Sequence, residues 1–323
     1  MKQLFIDSMR SFVIVEARTE MALCVYPLVS SDDCKHDYLS LHQAIGQGMI
    51  TISEVSQGGS VPELHVINRG KKHVLILDGE ELKGAKQNRV LNSSVLIPPE
   101  TDIIVPVSCT EQGRWSYASP NFQESGEAMP TSIRANKMES VSASLKLSGL
   151  HRANQREVWQ DISEMQDRLK VASSTGALHD VYRNRDNELQ NICDAFPIIE
   201  NQCGIYVMIN GVFAGMDMVS KPFVWSDLHQ KIVRSYVIDT LDFPVNKFTP
   251  KPLDMSELTE MIENCEFRDF SSVGSGHDLR FENPALIGSA LIFQDCVVHA
   301  AIYPRTAYDN HGSYHSPRNR SFR

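Results

Sequence analysis

The residues best suited to chemistry lie between Leu77 and Trp115. Asp78, Glu80 and Glu81 surround Gly79 at the end of a strand-like run, where functional loops collect. Carboxylates this close repel one another, which can raise one pKa and leave an acid beside a base. Glu80 and Glu81 are therefore the candidate catalytic pair, with Asp78 as a ligand-binding neighbour. The same oxygens suit Mg²⁺, which makes that ion a candidate cofactor. The competing reading is a solvated hairpin rim. Lys86, Gln87, Asn88 and Arg89 follow. In an extended run Lys86 and Asn88 point one way and Gln87 and Arg89 the other. Lys and Arg suit phosphate, Arg bidentately, whereas Asn and Gln can read an amide, a ribose or a base edge. The alternative is a buried polar network that fixes the fold. Ser108, Glu111, Arg114 and Trp115 complete the set: Trp115 can stack on a planar ring, and Arg114 can pair with Glu111 or an anion. Against that stands a core Trp with an Arg laid over it.

A second, weaker candidate is Gly274-Ser275-Gly276-His277-Asp278 with Arg280, which makes His277 and Arg280 secondary site residues. It lacks the glycine spacing of a dinucleotide fingerprint and the Lys-Ser/Thr of a phosphate loop, so a tight turn is the simpler reading. No G-x-S-x-G elbow and no H-E-x-x-H pair is present, and Cys109 has no evident catalytic partner.

The elements around these residues read as α+β. Strands are expected near Ser11–Val15 and Met21–Tyr26, with Pro27 ending the second. A short helix over Leu39–Ile45 and an alternating strand from Ile50 to Val55 follow. Leu64–Ile67 and His73–Leu77 flank Asn68-Arg69-Gly70-Lys71 and predict a hairpin. Val90–Ile97 and Ile103–Val107 predict two more strands, so residues 1–115 are β-rich. Residues 116–131 read as loop. Val158, Ile162, Met165 and Leu169 share one helical face, and Leu178, Tyr182, Leu189, Ile192 and Phe196 suggest a second helix, so residues 155–196 are helical. Residues 203–303 are mixed: a hairpin at Asn210-Gly211, a helix from Pro222, a capped helix from Asp254, and a hairpin turning at Gln294-Asp295. There is no βαβα alternation and no repeat, so one domain over 1–303 is expected, with a flexible basic tail over 304–323.

The 323 residues are 42% hydrophobic and 22% charged, ordinary globular composition. A formal charge of −9 argues against general nucleic-acid or anionic-membrane binding. No apolar run is long enough to span a bilayer and no signal peptide is evident, so a cytoplasmic location is expected. Seven cysteines, none in a C-x-x-C pair, predict reduced, mostly buried thiols rather than a disulfide framework or a zinc site.

The segments Asp78-Gly79-Glu80-Glu81-Leu82-Lys83-Gly84-Ala85-Lys86-Gln87-Asn88-Arg89 and Pro106-Val107-Ser108-Cys109-Thr110-Glu111-Gln112-Gly113-Arg114-Trp115 resemble the hallmark of the ARG and rhodanese-phosphatase-superfamily-associated protein domain family. Gly59-Ser60-Val61-Pro62-Glu63-Leu64, Asn210-Gly211, Gly215-Met216-Asp217 and Gly274 to Arg280 extend the similarity over residues 10–303. The family name reflects association with ADP-ribosylglycohydrolases and with rhodanese- or phosphatase-like proteins. The resemblance thus implies a link to NAD or ADP-ribose metabolism, without supplying a reaction. The chain has neither an aspartate-rich di-metal signature nor a C-x5-R loop. Two functions follow as expectations. One is binding, and processing, of an ADP-ribose- or nucleotide-like metabolite, with Lys86 and Arg89 on phosphate. The other is a non-catalytic interaction protein whose polar motif is a structural network and whose helices over 155–196 meet a protein partner.

Overall fold

Asn210 and Gly211 both adopt positive φ, and the two-residue turn they form joins two inner strands of the largest sheet. The computed structural model describes residues 1–31, 34–245 and 254–305 and two short strands beyond them. The predicted basic tail falls mostly outside the described residues. In chain order the elements of the first part are α1 (Lys2–Arg10), β1 (Phe12–Ile14), β2 (Arg18–Glu20), β3 (Leu23–Ser30), β4 (Tyr38–Ser40), α2 (Leu41–Gly46), β5 (Ile50–Glu54), β6 (Glu63–Asn68), β7 (His73–Ile76), β8 (Glu80–Gly84), β9 (Arg89–Leu91), β10 (Val95–Ile97), β11 (Thr101–Cys109) and β12 (Phe122–Ala128). Then come α3 (Thr131–Ser148), α4 (Gln155–Arg168), α5 (Leu178–Asn184), α6 (Asp186–Cys193), β13 (Gln202–Ile209), β14 (Val212–Val219), α7 (Pro222–Thr240), α8 (Met255–Glu263), β15 (Glu266–Ser271), β16 (His277–Glu282), β17 (Leu286–Phe293) and β18 (Cys296–Pro304).

The fold is α+β, as the order of patterns predicts. A nine-stranded antiparallel sheet runs β1-β3-β13-β14-β18-β17-β16-β15, with β2 beside β3. A six-stranded sheet, β12-β8-β9-β11-β6-β5, curls until β12 and β5 lie near one another around its own apolar core. A small sheet, β10-β7-β4, links the two. Period-two alternation gives the large sheet a core on each face. Ile205, Val207 and Ile209 of β13 join α3 to α7 on one side, and Tyr206 and Met208 join α1 and α8 on the other.

Several expectations need correction. Leu64–Ile67 and His73–Leu77 do not form a hairpin: β6 pairs with β5 and β11, whereas β7 pairs with β10 and β4. Asn68 makes this corner, its amide donating to the carbonyls of Lys72 and Pro98 while its Oδ1 accepts from Gly70. The run Val90–Ile97 is likewise two strands in two sheets, broken at Asn92-Ser93-Ser94. Pro27 does not end a strand but sits inside β3, where β1 has stopped and only its carbonyl is used, by the Val15 N–H. Residues 122–128, read as loop, form β12 against β8. The second predicted helix is two, α5 and α6, separated at Arg185. Not all thiols are reduced: Cys34 and Cys296 form a disulfide, and the five other cysteines are buried outside any disulfide. Sequence spacing is silent on a pair 262 residues apart. No helix among the described residues is long and apolar enough to cross a membrane.

Candidate functional site

The three carboxylates of the opening stretch are fully buried, and each turns to a different partner. Asp78 binds Lys137 of α3, whose ammonium also donates to the carbonyls of Leu91 (2.9 Å) and Asn92 (3.2 Å). Burial pulls Lys137 below its usual range, and the Asp78 charge opposes that pull. Glu80 accepts from Lys231 of α7 at 2.7 Å and from the Leu77 N–H at 3.0 Å. Lys231 also reaches Glu124 at 2.6 Å; burial opposes its charge, but the two carboxylates prevail and raise its pKa. Beside them Arg134 grips Asp217 at 2.7 Å, and Tyr236 donates to the same carboxylate at 2.8 Å. Gly79 is required here. Its φ is +76°, and a Cβ would stand 2.9 Å from the Arg134 Cγ. These pairs lock α3 and α7 onto β8, and they leave Asp78 and Glu80 no route to a ligand. Among the described residues no group of three or more His, Cys, Asp or Glu side chains converges to hold a metal ion.

Glu81 is different. Its Oε1 accepts from the Thr110 hydroxyl at 2.9 Å, but its buried Oε2 has no hydrogen-bond partner. That oxygen faces His179 of α5, whose Nδ1 lies 3.5 Å away and is equally unpartnered. The imidazole is 28% exposed. The polar contact with Glu81 raises the His179 pKa, burial opposes the rise, and the Glu81 charge reinforces it. Lys83 and Glu127 act on the ring more weakly, in opposite directions.

From Thr110 a chain of hydrogen bonds leads outward. Glu111 accepts from Thr175 (2.9 Å), the Asn88 N–H (3.2 Å) and Arg114 (2.6 Å). Burial works against the Glu111 charge, yet these donors hold its pKa below the ordinary range. Arg114 also donates to the carbonyls of Ala85 and Ser116 and to Asn88 Oδ1, so it clamps the loop between β8 and β9. That loop is a bend rather than extended chain: Asn88 Oδ1 accepts from Gly84 N–H at 3.2 Å, and Gln87 turns inward, accepting from Arg89 at 2.8 Å. The alternation expected of Lys86 to Arg89 is therefore absent. Arg89 is sealed, with its guanidinium 5.6 Å from the Trp115 ring centre and 3.9 Å from Glu54. Lys86 alone of the four reaches the surface, packed 5.3 Å from the Trp115 ring and 5.2 Å from Tyr117. Trp115 and Tyr117 are 46% and 52% exposed. They are not core plugs. Gly59 makes room for this cluster, since a Cβ there would press on Lys86 and Trp115 at 3.1 and 3.2 Å.

The remaining candidates lie elsewhere. Ser108 is buried and donates to Asn92 Oδ1 at 2.7 Å. His277 pairs with Asp269 on the surface, and Arg280 is buried against Asp278, which also meets His151. The glycine-rich segment before them is a turn docked on Leu96, whose carbonyl accepts from the Ser275 N–H.

Residues that the sequence reading passed over complete the site. Glu54 occupies the buried phase of an alternating strand, between Ile52 and Arg89, which is a legible signal. Lys231 sits three residues after Leu228 on the apolar face of α7, another legible signal. His179 follows Leu178 in a short helix, and no spacing marks it.

No curated protein and no solved structure matches this chain. A family model does, over residues 11–303. That span contains both polar segments, the Gly79 and Asp217 positions that meet at Arg134, and the whole large sheet from β1 to Tyr303. The chain belongs to the family described as ARG and Rhodanese-Phosphatase-superfamily-associated Protein domain.

Proposed function

We propose that the chain binds a phosphate-bearing, nucleotide- or ADP-ribose-like metabolite on the surface between Trp115 and His179, and that His179 moves a proton in its processing. The observation that carries this reading is the Glu81–His179 pair: a buried carboxylate oxygen without a hydrogen-bond partner, facing an imidazole that is partly open to solvent. With Nδ1–H directed at Glu81, Nε2 is free to take a proton from water or a ligand hydroxyl and return it to a leaving group. Thr110 fixes the carboxylate that orients the ring. Trp115 and Tyr117 offer exposed faces for a base, and Lys86 between them offers a cation for phosphate. Arg89 supports Trp115 from below, and Arg114, Asn88, Gln87 and Glu111 hold the loop in shape. The family description, read as association with ADP-ribosylglycohydrolases, favours ADP-ribose among phosphate-bearing ligands.

A second reading applies to part of the same stretch. Asp78 and Glu80, sealed against Lys137 and Lys231, suit the structural-network hypothesis. Of the three carboxylates, only Glu81 therefore keeps a part in the acid–base chemistry, as the group that orients His179. The test is incubation of the protein with ADP-ribose and NAD, followed by chromatography of the products. His179→Gln should slow turnover by about 100-fold or more, the size of one general acid–base contribution, while binding is retained. Turnover at the wild-type rate in His179→Gln, or none in the wild type, overturns the proposal.

A further inference from the structure

At one end of the large sheet, where β3 and β14 stop and β18 begins, lies a cleft of about 520 Å³. Leu4, Asp7 and Ser8 of α1 form one wall, and the Cys34–Cys296 disulfide stands in the other. A cleft of this volume suits a small molecule. The disulfide fastens the segment before β4 to the start of β18, and no other cysteine pair is bonded among the described residues. A cation attends it: Lys221 donates its ammonium proton to the Cys34 carbonyl. On the Cys296 side, Asp295 pairs with His36 at 3.0 Å. Both cysteines are buried at the edge of the apolar core, yet both also line the cleft, and that is the side from which a small thiol reaches the bond; the rate of exchange depends on access and on how well the leaving sulfur carries charge.

We propose that Cys34–Cys296 is a redox-active disulfide and that the cleft admits a low-molecular-weight thiol, uncharged or cationic, as its reductant. The thiolate of that molecule attacks Cys296 Sγ. The Cys34–Cys296 bond breaks, and Cys34 leaves with the electron pair as a thiolate beside Lys221. A second thiolate then attacks the outer sulfur of the mixed disulfide, releases Cys296 as a thiolate and departs as the oxidised, disulfide-linked small molecule. Two electrons pass to the protein, and the protons lost by the two attacking thiols balance those taken up by the cysteines. Asp7 and Asp295 in the lining disfavour an anionic thiol.

The experiment uses the full chain, purified without reductant and treated with cysteamine, then alkylated and mapped by mass spectrometry. Cys34 and Cys296 should become alkylated while circular dichroism and the other five cysteines stay unchanged. Cys34→Ser treated with cystamine should gain one cysteamine, on Cys296. Ser8→Trp, which narrows the cleft from α1, should slow reduction by about tenfold, since exchange depends on access. Cysteamine should outpace 3-mercaptopropionate at equal thiolate concentration. Reduction only after denaturation, an adduct on a different cysteine, or no bond in the folded protein would overturn the redox assignment. A wild-type rate in Ser8→Trp, or equal rates for the two thiols, would remove the cleft from it.

Discussion

Lys137→Met puts the division of the polar stretch to its hardest test. The ammonium it removes is the hydrogen-bond partner of Asp78 Oδ1, and Asp78 Oδ2 has none. The variant therefore strands a buried carboxylate, which costs about 3–5 kcal/mol when one member of a buried pair is cut. The carbonyls of Leu91 and Asn92 lose a donor as well, each worth about 1 kcal/mol. A loss near 5 kcal/mol should lower the melting temperature by about 10–20 °C, scaling from domains somewhat smaller than this one. Adding Asp78→Asn removes the stranded charge and should recover more than half of the loss, because a neutral pair carries little of the desolvation cost. Urea unfolding followed by circular dichroism reads both variants. A loss under about 1 kcal/mol in Lys137→Met would mean that Asp78 is wetter and freer than its burial implies, and that the pair does not brace the fold.

Other outcomes follow from the same geometry. Lys231→Met strands Glu80 and should destabilise by a similar 3–5 kcal/mol or so, read in the same unfolding assay. Glu81→Gln should lower the His179 pKa in an NMR titration of its ring protons. Because the folded pKa of His179 is raised above its ordinary 6.5, its stabilising contribution is complete below that value and is lost as pH rises through the folded pKa. The Glu81→Gln variant should therefore lose that pH dependence of stability. Glu111 has the opposite sign: its folded pKa is depressed below 4.5, so its contribution is present above that value and is lost as pH falls through the folded one. Arg114→Ala should shift acid unfolding to higher pH. Gly59→Val forces a branched side chain into positive φ against Lys86 and Trp115, and thermal unfolding should show a loss of at least about 1 kcal/mol.

Local pattern carried much of this fold. The Asn210-Gly211 hairpin, the Pro222 helix with Trp225, Leu228, Ile232 and Tyr236 buried, and the hairpin at Gln294-Asp295 are all as their spacing predicts, because turn chemistry and periodicity act over a few residues. Long-range pairing was not legible. Asn68-Arg69-Gly70-Lys71 has hairpin composition, yet Asn68 uses its side chain to turn a corner between two sheets. β12 was hidden because its polar residues are there for Lys231 and Arg234, helical cations some hundred residues away. The site was half legible. The stretch from Leu77 to Trp115 does gather five buried charges, Asp78, Glu80, Glu81, Arg89 and Glu111, but its sequence cannot say that Glu80 and Glu81 face opposite ways along β8. One meets a helical lysine in the interior and the other a histidine near the surface. The contact of His179 with Glu81, and the bond between Cys34 and Cys296, exist only once the chain has folded.

Calorimetric titration of ADP-ribose into the purified protein tests for a ligand surface between Trp115 and His179. The wild type should bind it saturably. Lys86→Ala and Trp115→Ala should each weaken it by at least about tenfold, the worth of one stacked base or one cation, with unfolding curves that stay in place. No heat with the wild type, or wild-type affinity in both variants, would contradict it and leave the polar stretch as a framework for the fold.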